Sequence, residues 1–157
     1  MFKSPTCTQR DVAMANRMAR IANLSLEELG KAIFSATCGD DKTVEAMLNT
    51  DYKEFHIAGH DLAVSQITCM DSDRLLARKD EFFSVMMQTL VKRGLDSVVL
   101  MLTDVLLEGT YLLFVGDEDN ICQAFNISKS CEENLAFLPK IMSRKKQVIP
   151  MLSALWG

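Results

Sequence analysis

Apolar residues recur at three- and four-residue spacings over the first thirty or so positions, and beyond residue 50 they give way to alternating and then continuous apolar runs. Val12, Ala15, Met18, Ala19 and Ala22 fall on one face of a helix over residues 9–22, which Thr8 is placed to cap. Ser25 followed by Glu28 forms a capping-box pattern ahead of Leu29, Ala32 and Ile33 and predicts a second helix. Cys38-Gly39-Asp40-Asp41 is a break, followed by a short helix over residues 43–48 and a strand over 52–58. Gly59-His60-Asp61 reads as a hairpin turn into a second strand over residues 62–67.

A long helix is predicted from Asp71 or Ser72 to Arg93, with Leu75, Phe82, Phe83, Met86, Leu90 and Val91 as its buried stripe and Gly94 just past its end. Residues 96–102 hold the nearly unbroken apolar run Val98-Val99-Leu100-Met101-Leu102, the pattern of a central strand covered on both faces. Residues 111–115 form a second such run. A helix over 116–126, a short strand over 135–138 and a closing helix containing Val148, Leu152 and Leu155 complete the chain. This alternation predicts an α/β fold: a mixed β-sheet flanked by helices on both faces, with an N-terminal helical subregion packed beside it. Residues 1–157 are expected to form a single domain, since the chain suits one core and is short for two.

Composition narrows the class. A charged fraction of 24% beside 48% hydrophobic residues belongs to a globular protein. A net charge of −4 argues against a nucleic-acid partner bound through a broadly basic surface, so any anion site must be local. No apolar run approaches the roughly 18 residues needed to span a bilayer, and Met1-Phe2-Lys3-Ser4-Pro5 has no signal-peptide character, so the expectation is a cytoplasmic protein with no membrane partner. Five cysteines without a C-x-x-C pair suggest neither a disulfide framework nor a zinc site. The ten methionines are expected in the core.

The local exception to the negative charge is Lys140-Ile141-Met142-Ser143-Arg144-Lys145-Lys146, with four cations in seven residues. If Ser143 is an N-cap, Arg144, Lys145 and Lys146 sit in a first helical turn whose dipole already disfavours each exposed cation by roughly 0.3–1 kcal/mol. A bound anion reverses that penalty: free amides, a hydroxyl, a guanidinium and ammonium groups together suit phosphate oxygens. The alternative is a solvated basic face.

Ser143-Arg144-Lys145-Lys146-Gln147, followed by Pro150, resembles the signature near the C-terminus of family II inorganic pyrophosphatases. Ser4-Pro5-Thr6, Asp51-Tyr52-Lys53-Glu54-Phe55, Gln66 and Leu100-Met101-Leu102-Thr103-Asp104 are similar to that C-terminal domain in the same order, so the resemblance covers nearly the whole chain. It implies a DHH-associated domain that closes over an N-terminal DHH metal domain and holds pyrophosphate, or polyphosphate, across the cleft. It also implies that Arg144 and Lys145 hold phosphate oxygens, that Lys53 neutralises substrate charge, and that Ser143 and Lys146 act as cap and supporting charge. The implied chemistry is attack on phosphorus by a metal-activated hydroxide. Manganese or magnesium would be bound by the other domain, since no Asp-His-His motif occurs in this chain and its two histidines are too few for a His-rich centre. Alone, the chain is expected to bind no metal, to be inactive or nearly so, and to be monomeric or weakly self-associating. The alternatives are a stand-alone anion- or nucleotide-binding regulatory or interaction module and the matching half of an exopolyphosphatase.

His60 is expected to be a solvated turn residue and His56 a strand-surface residue, neither a metal ligand. Thr103-Asp104 ends an apolar strand, a common place for ligands in α/β folds, but strand termination is the favoured explanation, with positioning of a neighbouring loop as the functional alternative.

Overall fold

The computed structural model describes residues 7–37, 42–128 and 134–156. The predicted break at residues 38–41 and the Ser4-Pro5-Thr6 segment lie outside them. Among the described residues are helices α1 (Gln9–Ala22), α2 (Leu26–Thr37), α3 (Val44–Asn49), α4 (Ser72–Leu76), α5 (Lys79–Arg93), α6 (Glu118–Phe125) and α7 (Ile149–Trp156). The strands are β1 (Tyr52–Ile57), β2 (His60–Cys69), β3 (Ser97–Asp104), β4 (Gly109–Gly116) and β5 (Leu135–Leu138). The five strands form one sheet in chain order. Only β2 and β3 run parallel, joined by the α4–α5 crossover; the other neighbours are antiparallel. The expected mixed sheet with helices on both faces is therefore the fold.

Alternation along the strands builds two half-cores. Ala63, Val98, Leu100, Leu102, Leu113 and Val115 face one side and are covered by α3, α4 and α5 through Leu48, Leu75, Phe82 and Met86. Leu62, Val64, Val99, Met101, Leu112 and Phe114 face the other and are covered by α6 and α7 through Ile121, Phe125 and Leu152, with Val148 just before α7. Every residue of β3 is buried, which explains its continuous apolar sequence.

Several expectations need correction. The helix predicted from residue 71 or 72 to 93 is two helices, broken at Ala77-Arg78. Arg78 donates to the Lys42 carbonyl and to the Glu81 carboxylate, a tertiary tie that periodicity does not reveal. Gly94 does end α5, in the left-handed conformation at φ 67°. Val91 is 74% exposed instead of buried. Phe82, Met86 and Leu90, at four-residue steps, define the inner face, and Val91 lies about 100° further round the helix.

The β1–β2 hairpin turns on Ala58 and Gly59, at φ 50° and 89°, the pair of positive φ values that a two-residue loop matched to strand twist requires. His60 therefore pairs with Ile57 as the first residue of β2. It is not a solvated turn histidine: its ring stacks on Trp156, with centroids 4.5 Å apart and planes 13° from parallel. His56 is exposed on β1, where its Nδ1 lies 2.6 Å from Asp61 Oδ1.

The N-terminal helices depart furthest from expectation. Thr8 caps α1 as predicted, and Ser25 Oγ accepts from the Glu28 amide at the start of α2. Yet α1 has no buried residue, and Met14, Met18, Ile21, Leu24, Leu29 and Ile33 are all exposed. The subregion forms, but these apolar side chains are not buried against the sheet.

Candidate functional site

The basic segment enters from β5 and is fixed before it turns. The Met142 amide donates to the Oγ1 of buried Thr110 on β4, and the Met142 side chain is itself buried. Ser143 then caps a π-helical turn, Arg144–Val148, that runs directly into α7. Ser143 Oγ accepts from the Lys146 amide at 3.3 Å, while the Ser143 amide donates to Gln147 Oε1 at 2.8 Å. The predicted cap is present. The turn that follows is wider than the α-turn expected, because the Val148 amide reaches back five residues to the Ser143 carbonyl.

Within this turn the cations separate into two kinds. Arg144 is buried; its Nη1 donates to the main-chain carbonyls of Asp51 at 2.6 Å and Val64 at 3.1 Å, and its Nη2 to Asp51 Oδ1 at 2.7 Å. Lys145 and Lys146 are exposed, and their ammonium groups have no hydrogen-bond or ion-pair partner among the described residues.

Lys53 belongs to the same neighbourhood through the backbone. It is exposed on β1, two residues after Asp51, and its register partner on β2 is Val64, whose carbonyl Arg144 holds. The guanidinium thus ties the start of the basic turn to the strand pair that carries Lys53, across 93 residues of sequence from Asp51. Asp51, Val64, Thr110 and Gln147 were not singled out from sequence. Asp51 had a visible signal, standing two residues before Lys53 in the same short segment; the Val64 carbonyl had none, because main-chain contacts follow from register.

Thr103-Asp104 has a structural explanation. Asp104 is buried, and its carboxylate accepts from the amides of Ser72 at 2.9 Å, Leu106 at 2.9 Å and Leu107 at 3.0 Å. Burial pushes its pKa up, but the hydrogen bonds from Leu107, Ser72 and Leu106 outweigh this and hold it below the ordinary carboxylate value. The residue fastens the β3–β4 turn to the start of α4.

Among the described residues no three His, Cys, Asp or Glu side chains converge as a metal-binding group, so the donors described here do not fit a metal centre. No helix among them is long and apolar enough to cross a membrane.

Comparison with known proteins agrees with this architecture. A probable manganese-dependent inorganic pyrophosphatase of Staphylococcus epidermidis is 36% identical over 155 residues, a match covering 98% of this chain and 50% of that protein. A cobalt-dependent inorganic pyrophosphatase of Clostridium perfringens is 38% identical over the same length, which is 28% of that protein. A crystal structure from Methanococcus jannaschii, provisionally assigned as a family II inorganic pyrophosphatase, superposes with a TM-score of 0.82 at 34% identity, covering 99% of this chain and 50% of the other. The chain thus spans half or less of the length of these relatives. The DHHA2 domain model matches residues 31–155, and on that match the chain belongs to the DHHA2 domain family.

Proposed function

We propose that this chain is the substrate-holding half of a manganese-dependent inorganic pyrophosphatase, and that it hydrolyses diphosphate to two phosphates only when joined to a DHH metal domain. The observation that carries the reading is the split among the cations: buried Arg144 is tied to the fold, while Lys145 in the basic turn and Lys53 on β1 stand exposed with no ion-pair partner among the described residues. Unpaired ammonium groups near a capped helix start form a receptor for oxyanions. Lys53 and Lys145 hold phosphate oxygens, Arg144 offers its remaining donors to the same anion, Ser143 keeps the turn open as cap, and Lys146 adds charge. In phosphoryl transfer this arrangement contributes positioning and charge stabilisation. Metal chemistry, by this reading, falls to the other half, in keeping with the manganese and cobalt in the relatives' names.

The same reading explains the uncovered face of α1. Residues before 31 lie outside the DHHA2 match, yet the similarity to full-length relatives extends over 98% of the chain. The exposed residues Met14, Met18, Ile21 and Leu24 are then where the DHH half packs. Such a protein works in the cytoplasm, and this chain by itself is monomeric or weakly associating and nearly inactive.

Calorimetric titration with pyrophosphate at low salt tests the site, comparing the wild-type chain with Lys53→Ala/Lys145→Ala. Both lysines are exposed, so the double variant keeps the fold. The expected result is saturable binding weakened at least about tenfold by the double substitution, corresponding to about 1.4 kcal/mol. Equal heats from the two proteins would rule out these lysines as the anion site.

A further inference from the structure

We propose that Asp51 is a positioning residue for the anion site, holding the Arg144 guanidinium so that one edge of it stays free to grip a phosphate. The inference rests on the phosphate-binding reading above and assigns Asp51 a role within it.

A guanidinium has five N–H donors in one plane. Three bonds leave its two terminal nitrogens: Nη1 donates to the carbonyls of Asp51 and Val64, and Nη2 to Asp51 Oδ1. With Asp51 bridging Nη1 and Nη2 through its carbonyl and Oδ1, we infer that the donors left over are Nε–H and the Nη2–H beside it, on one edge. That edge is a two-pronged donor matched to two oxygens of a tetrahedral anion. Nε–H has no partner among the described residues, and it is absent from the buried polar atoms that lack one, so solvent reaches it. The side chain is otherwise only 10% exposed, which leaves it little freedom to turn a different edge outward.

Asp51 makes two of the three engaged contacts, one from its main chain and one from its side chain. Its carboxylate is 43% exposed and pairs at 2.7 Å with the buried guanidinium, so charge pairing is one part of what it does. Its distinctive contribution is directional: Oδ1 and the carbonyl oxygen together fix the plane of the fork. Because Asp51 precedes β1 and Lys53 follows two residues later, the same contact sets the approach of the basic turn to that lysine.

Charge and geometry predict opposite signs, which makes the idea testable. A carboxylate beside an anion site repels the anion, so by charge alone both Asp51→Ala and Asp51→Asn tighten binding. If Asp51 positions Arg144, Asp51→Ala weakens pyrophosphate binding about tenfold, whereas Asp51→Asn, which keeps an acceptor oxygen, stays within about threefold of wild type. Titration calorimetry of the three chains with pyrophosphate, alongside thermal melts, reads this directly. Equal or tighter binding by Asp51→Ala overturns the positioning role while leaving the phosphate reading intact. A wild-type chain that gives no saturable heat overturns the phosphate reading, and this inference with it. Should Asp51→Ala fail to fold, the wild-type chain still decides: the Arg144 Nε–H resonance is expected to shift saturably as pyrophosphate is added, and an unmoved resonance refutes the free edge.

Discussion

Helices α1 and α5 are nearly equal in length, at 14 and 15 residues, and α1 separates its apolar and polar faces more cleanly. Yet α5 buries Phe82 and Met86 to 1% and 0% exposure, while α1 buries nothing. Amphipathicity therefore reports that a face needs cover, not where the cover comes from. For α5 the cover is the sheet of the same domain. For α1 the described residues bury nothing, and the start of the DHHA2 match at residue 31 falls between the two behaviours.

The largest expected effect tests the α5 side. Phe82→Ala should cost about 3–5 kcal/mol in urea denaturation, since it empties a buried ring site, whereas Met18→Ala on α1 should change stability by less than about 0.5 kcal/mol. Comparable losses from both would mean that α1 is packed within this chain and that the comparison fails.

Next in size is Asp104, which belongs wholly to the sheet domain. Asp104→Ala leaves the amides of Ser72, Leu106 and Leu107 without an acceptor and should cost about 3 kcal/mol. Its pKa is lowered in the folded state. The stabilisation is therefore fully present above the ordinary carboxylate value of about 4 and is lost as pH falls through the lower, folded value. Denaturation midpoints measured from pH 7 downward should show a smaller acid-side loss in Asp104→Asn than in wild type.

The two helix ends provide a finer contrast. Gly94 ends α5 at φ 67° and Asn23 ends α1 at φ 51°, both in the left-handed conformation. Gly94→Ala should lower global stability by about 1 kcal/mol. Asn23→Ala should fray α1 alone, seen as faster amide exchange in α1 with an unchanged melting temperature.

The smallest effect on the chain itself is the most informative about α1. Met18→Lys with Ile21→Lys should leave its melting temperature within about 2 °C. The same variant should lose the amide-exchange protection that α1 gains when the N-terminal half of the Staphylococcus epidermidis relative is added in trans. Undiminished protection would place the docking surface elsewhere.

Legibility followed the range of the interactions concerned. Thr8, Thr43 and Gly94 could be read as helix boundaries because caps and left-handed residues act within one turn of the backbone. β3 could be read as a central strand because eight buried positions in succession leave a continuous apolar run. The break at Ala77-Arg78 could not, since it is fixed by the distant Lys42 carbonyl, and the strand placement of His60 depended on which two residues carried positive φ.

For the proposed site, the sequence alone determined the residue types and the local cap: a Ser143-capped start carrying Arg144, Lys145 and Lys146, and a lysine at position 53. Residue type and local spacing suffice for that. Only the tertiary structure separated Arg144, tied to Asp51 and Val64, from the exposed lysines, because the contact joins residues 93 positions apart and depends on strand register and on a main-chain carbonyl. The same holds for α1. Its helical form is written in local periodicity, but whether its apolar face is covered depends on what the rest of the molecule places against it.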